Sequence, residues 1–166
     1  MLSFQWPWMA SIQIDQGQGF THICGGSVID TNLVLTAGHC LKDKDISELR
    51  IVFGTDDTSK TGSFQVERKI SEIFIHPKYN QGESTFDMAV AILDEDLDLN
   101  DGISTVCIPT EANMDESQRF EHSATLIGWG ATKPGEGPGL ELCQAPMNFF
   151  ASNKTINAAI ICAGLF

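Results

Sequence analysis

The sequence predicts an all-β chain, built as a sandwich or a barrel. Three observations carry this. Short β-type runs recur along the chain with turn signals between them. Several of these runs alternate apolar and polar residues with period two. No stretch repeats its apolar residues at helical spacing over a useful length, and there is no internal repeat.

Taken in order, Trp6-Pro7-Trp8-Met9 leads into Ala10–Ile14, which alternates and reads as a strand. Gln16–Gly19 is a turn. Thr21–Ile29 is the next strand, and its Gly25-Gly26 pair marks a bulge or a close backbone approach. Asp30-Thr31-Asn32 turns the chain into Leu33–Thr36, a third strand. Lys42–Ser47 is a charged loop, Leu49–Phe53 a fourth strand, and Gly54–Gly62 a polar loop. Phe64–Ile75 is long. Phe64, Val66 and Ile70 share one phase of the alternation, and Ile73 and Ile75 share the other, as a one-residue bulge would cause. Met88–Leu93 is continuously apolar, which predicts a strand buried on both faces. Glu95–Gly102 is an acidic loop, and Val106-Cys107-Ile108-Pro109 begins a linker. Ser123–Ile127, Leu140–Phe150 and Ile160–Ala163 are the remaining strand candidates, with a Pro/Gly loop at Lys133–Gly139.

At 166 residues the chain has the length of one ordinary domain, and 42% hydrophobic against 19% charged residues suits a chain that buries a core. The formal net charge is −12, which repels phosphate backbones and argues against nucleic acid as a partner. The stretch Ile156–Phe166 is too short to span a bilayer, so no membrane span is expected. Met1–Ile14 lacks a basic leader and a continuous apolar core, so no signal peptide is read there. Five cysteines cannot all pair with one another. No CxxC is present, and His22, His39, His76 and His122 are scattered, so neither a metal nor a cofactor is expected.

The stretch Leu33–Cys40 carries the chemistry. A β-type run ends in Thr36-Ala37-Gly38 and is followed at once by His39 and Cys40. Sixteen positions before Cys40 stands Cys24, leading Gly25-Gly26-Ser27. A histidine beside a cysteine is ordinarily structural. Its pairing with the Cys-Gly-Gly-Ser run, however, resembles the first catalytic segment of the trypsin/chymotrypsin-like serine endopeptidases. The similarity continues in order. Trp6-Pro7-Trp8-Met9-Ala10-Ser11-Ile12 resembles the first strand of that family, and Ile75-His76-Pro77-Lys78-Tyr79-Asn80 its His-Pro-x-Tyr stretch. Phe86-Asp87-Met88-Ala89-Val90-Ala91-Ile92-Leu93 resembles its aspartate segment. Val106-Cys107-Ile108-Pro109, Gly128-Trp129-Gly130 and Ile161-Cys162-Ala163-Gly164 resemble later landmarks.

The resemblance implies a chymotrypsin-like double antiparallel β-barrel. Residues 1–105 would form the first barrel, carrying His39 and Asp87. Residues 106–166 would form the linker and an incomplete second barrel. It implies His39 as general base and Asp87 as the carboxylate that orients it, and a disulfide between Cys24 and Cys40. Such a bridge argues for an oxidising, extracellular compartment. Cys107, Cys143 and Cys162 have no evident mates. The family's Gly-Asp-Ser-Gly-Gly nucleophile segment does not occur in the 166 residues, and neither does its Ile-Val-Gly-Gly start. The expected function is thus that of a serine endopeptidase acting on proteins or peptides, and open to protease inhibitors. This chain is read as a fragment truncated before the serine and inactive alone. The alternative is a secreted pseudoprotease that binds proteins without chemistry. That alternative predicts damaged catalytic residues in an intact fold, whereas here His39 and Asp87 are present. Ser27 reads as a packed hydroxyl. Some members bind calcium in the loop equivalent to Gly54–Gly62, but Thr55 and Gly62 stand where acidic ligands are usual, so none is expected. Asn153-Lys154-Thr155 is an N-glycosylation sequon, a pattern short enough to arise by chance.

Overall fold

Six strands close on themselves in the computed structural model, which describes residues 5–80, 85–108, 123–132 and 137–148. They are β1 (Met9–Asp15), β2 (Phe20–Asp30), β3 (Leu33–Thr36), β4 (Leu49–Phe53), β5 (Val66–Ile75) and β6 (Ala89–Leu93). The order around the barrel is β1-β2-β3-β6-β5-β4, and every pairing is antiparallel. The closing pair is β1 with β4, where Ala10 opposes Phe53 and Ile12 opposes Ile51. Closure removes the free strand edges that a six-stranded open sheet would expose.

Period-two alternation puts one set of side chains inside. Ala10, Ile12, Val28, Val34, Ile51, Phe53, Ile70, Ala89, Ala91 and Leu93 form the barrel core, joined by Leu97 and Ile103 from the segment after β6. The apolar run of β6 was expected to be covered on both faces. Instead Ala89, Ala91 and Leu93 are buried while Val90 and Ile92 are only partly covered. A closed barrel has a single interior, so among the described residues the outer face of β6 is covered less deeply than the inner one.

The expected slip in β5 is present. Ile70 opposes Leu93 and Glu72 opposes Ile92, leaving Ser71 as the extra residue, with its hydroxyl donating to the Ile92 and Leu93 carbonyls. In β2 the two readings of Gly25-Gly26 separate. The bulge falls at Ile23, because Ile12 opposes Cys24 and Gln13 opposes His22. Gly26 is instead a close approach: a Cβ there would meet Val34 Cγ1 at 2.8 Å. One helical turn, α1 (Gly38–Leu41), follows β3, and a 3-10 turn covers Ile46–Glu48 inside the charged loop. Both are too short to show helical periodicity.

Among the described residues, the later chain contributes two strands, β7 (Ser123–Gly128) and β8 (Cys143–Asn148), paired antiparallel. They are seated on the barrel through Trp129, which is 1% exposed and packs with Met9 and Leu142. The loop after β4 completes the seam. The Asp56 carbonyl accepts from Leu142 N–H at 2.7 Å, and the Leu140 carbonyl accepts from Thr58 N–H at 2.9 Å. Trp6 Nε1 donates to Gln144 Oε1 at 3.1 Å, tying the start of the chain to β8. Cys107 and Cys143 are exposed thiols. The strand candidate Ile160–Ala163, Cys162 and the Asn153 sequon lie outside the described residues.

Candidate active site

His39 and Asp87 are far apart in sequence, and strand pairing brings them together. β3 and β6 are antiparallel neighbours with Thr36 opposite Ala89. The chain leaving β3 therefore runs beside the chain entering β6. Three residues past Thr36 is His39, on α1, and two residues before Ala89 is Asp87. The Cys24–Cys40 disulfide anchors α1 to β2 at the residue next to His39, with the two Cα atoms 6.1 Å apart.

Both oxygens of the Asp87 carboxylate are engaged by the same residue. Oδ2 lies 2.6 Å from His39 Nδ1, and Oδ1 accepts the His39 backbone N–H at 2.8 Å. The Asp87 side chain is 12% exposed and that of His39 34%, so the carboxylate is shielded while the imidazole still reaches solvent. An ionised Asp87 only accepts, so it selects the tautomer with the proton on Nδ1. Nε2 is then the basic nitrogen, and it lies 3.5 Å from Cys40 Sγ. Gly38 permits this approach, since a Cβ there would come within 3.2 Å of Asp87 Oδ1 and 3.1 Å of Tyr79 Cδ1. Burial holds the Tyr79 hydroxyl above the usual phenol range, with the negative charges of Asp87 and Asp43 adding to it.

A serine–histidine pair lies elsewhere and was not singled out in the sequence. Ser11 Oγ is 2.8 Å from His22 Nδ1, and Gln13 Nε2 donates to the same hydroxyl at 3.3 Å. Ser11 is completely buried, so no substrate reaches it. His22 packs beside the Trp129 ring, with centroids 5.2 Å apart, and burial pushes its pKa down to about 4. Its signal in the sequence was the polar run of Ser11 and Gln13 on a strand otherwise rich in core residues. Ser27 is also buried, in β2.

Cys24, His39 and Cys40 place their ligand atoms within 4.8 Å of one another, but the two sulfurs share a disulfide and offer no thiolate to a metal. In the Gly54–Gly62 loop the Asp57 carboxylate is taken up by Lys60 and by the backbone and hydroxyl of Ser59. These partners, Lys60 first, bring its pKa down to about 2.

A closed six-stranded barrel with a His–Asp pair at its rim is matched in sequence by the family model described as Trypsin, over residues 3–165. The chain belongs to the trypsin family. This trypsin-family chain is 34% identical to the serine proteinase stubble of Drosophila melanogaster over 79% of its own length and 17% of that protein. It is 32% identical to the venom peptide isomerase heavy chain of Agelenopsis aperta, over 78% of the chain and 53% of that protein. It is 29% identical to chymotrypsin-C of Rattus norvegicus, over 96% of the chain and 61% of that protein. The chain thus spans less than two thirds of each of these relatives. The fold is the chymotrypsin-like one. Within it, β1–β6 close a barrel and β7 and β8 form a separate two-stranded sheet.

Proposed function

We propose that this chain carries the general base and the orienting carboxylate of a serine endopeptidase that cleaves proteins or peptides through an acyl-enzyme. The observation that supports this most is the double engagement of Asp87 by His39. A serine hydroxyl is a weak nucleophile at neutral pH and needs a base to take its proton. In this reading His39 Nε2 accepts that proton and returns it to the leaving amine. Asp87 keeps the Nδ1 proton in place and stabilises the imidazolium that forms. The serine and the oxyanion donors would come from a Gly-Asp-Ser-Gly-Gly segment, which the 166 residues do not contain. Residues 1–105 then form the unit that supplies base and carboxylate, residues 106–166 begin the second unit, and the 166-residue polypeptide by itself is inactive. The intact His–Asp pair weighs against a pseudoprotease. The Cys24–Cys40 disulfide supports an oxidising, extracellular setting.

The test is the intact mass of the native protein from its source after reaction with a serine-directed phosphonate. A labelled species heavier than the 166-residue chain is the expected result. An unlabelled species at the mass of this chain would overturn the reading.

A further inference from the structure

The turn that presents Asp87 is held on both flanks by one residue. His76 directly follows β5. Its backbone N–H donates to the Met88 carbonyl at 2.9 Å, just after Asp87. Its ring stacks on Phe86, just before Asp87, with centroids 4.9 Å apart and planes 10° from parallel. The His76 ring is fixed in turn, because Nδ1 accepts the Lys78 N–H at 3.2 Å. The Lys78 ammonium lies 5.6 Å from the Phe86 ring centroid.

Phe86 has φ +54°, a region that residues with a Cβ avoid. Met88 N–H donates to the Phe86 carbonyl at 2.7 Å, so the chain folds tightly around Asp87. Phe86 is 47% exposed, so core burial does not account for where its ring sits. Strained conformations of this kind persist only where their surroundings over-determine them. Among the described residues, the surroundings include the His76 ring on one side and the His76 and Met88 backbones on the other.

The geometry points to His76 and Phe86 as positioning residues: their stacked rings lock the strained turn that aims the Asp87 carboxylate at His39. This rests on the reading of Asp87 as the group that orients His39. Without the stack, Phe86 relaxes toward negative φ and carries the Asp87 Cα with it. A carboxylate whose two oxygens are committed at 2.6 and 2.8 Å has little tolerance for that movement.

The test uses the full 166-residue chain and two reporters on the carboxylate. One is the far-downfield proton resonance of His39 Nδ1–H. The other is the exchange rate of the His39 backbone amide. The variants are Phe86→Ala, Phe86→Tyr and His76→Ala. In Phe86→Ala and His76→Ala the downfield resonance disappears and His39 amide exchange speeds up by about tenfold or more, as expected when a charge-assisted hydrogen bond opens. The amides of Ile51 and Val52 in β4 keep their rates. Phe86→Tyr keeps the stack and matches the original chain. If His76→Ala fails to fold, the two Phe86 variants decide, since that ring lies at the surface. A downfield resonance that survives unchanged in Phe86→Ala overturns the positioning role and leaves the His39–Asp87 pair intact. A Phe86→Tyr variant that behaves like Phe86→Ala also overturns it. Absence of the resonance from the original chain would remove both this inference and the reading it rests on.

Discussion

Replacing both bridged cysteines by alanine, Cys24→Ala with Cys40→Ala, should lower stability by about 3 kcal/mol. The bridge joins residues 16 apart. In the chain-entropy model a loop of that length costs the unfolded chain a fixed contribution of about 0.6 kcal/mol and a length-dependent one of about 2.5 kcal/mol at 25 °C. The native side of the balance changes little. Both sulfurs are buried, and alanine keeps the Cβ and adds no polar group to the core. Ordinary domains have about 5–15 kcal/mol of stability, so the variant remains folded in water. Urea unfolding, followed by far-ultraviolet circular dichroism and tryptophan fluorescence, reads the loss as a lower midpoint. The slope should rise slightly, because an uncrosslinked unfolded chain exposes more surface. A loss below about 1 kcal/mol would refute the reasoning, since the unfolded chain would then hold these residues together unaided. A loss well above about 5 kcal/mol would refute it differently, by showing that the bridge mainly supports native contacts around α1.

Three further outcomes are expected. His22 has a pKa near 4 in the folded state against 6.5 when exposed, so the unfolded chain takes up the proton first as pH falls. Stability is then full above pH 6.5 and is lost progressively down to pH 4, by at most about 3 kcal/mol; urea midpoints across that range should flatten in His22→Gln, and an unchanged slope would refute this. Gly54→Ala places a Cβ 2.3 Å from the Phe64 carbonyl oxygen at φ +64°, whereas Gly17→Ala at φ +77° meets nothing within 4 Å. The first should cost about 3 kcal/mol or more and the second about 1 kcal/mol by thermal unfolding, and equal losses would contradict the contact argument. If the native protein is labelled as the proposed function expects, Asp87→Asn should slow that phosphonate labelling by orders of magnitude with the melting temperature nearly unchanged, since a neutral amide no longer enforces the Nδ1-protonated tautomer.

Strand positions were legible where alternation and turn residues agree. β3 and β4 have the boundaries that Leu33–Thr36 and Leu49–Phe53 suggest, because Asn32 and Gly54 end them sharply. The bulge in β5 was legible too, since a change of phase leaves a trace in the order of apolar residues. The bulge at Ile23 left none, because Thr21-His22-Ile23-Cys24 has no regular alternation to break. β6 shows the limit of composition: Met88–Leu93 is apolar throughout, but only closure of the barrel decides which face lies inside. The candidate site was legible through resemblance alone. Nothing in local sequence places Asp87 beside His39, 48 residues away, because that depends on β3 pairing with β6. The Ser11–His22 pair escaped because period two says that Ser11 faces one side of β1 without naming its neighbour on the bulged β2.

Part of the seam between the barrel and the β7–β8 pair is a main-chain link between two loops. The Asp56 carbonyl receives Leu142 N–H and the Leu140 carbonyl receives Thr58 N–H. Main-chain bonds survive changes of side chain but not changes of length. The loop from Gly54 to Lys60 and its counterpart from Gly139 to Leu142 should therefore accept many substitutions at their outward positions while rejecting insertions and deletions. In a library of randomised variants, these two surface loops would stand out as rich in letters and fixed in spacing.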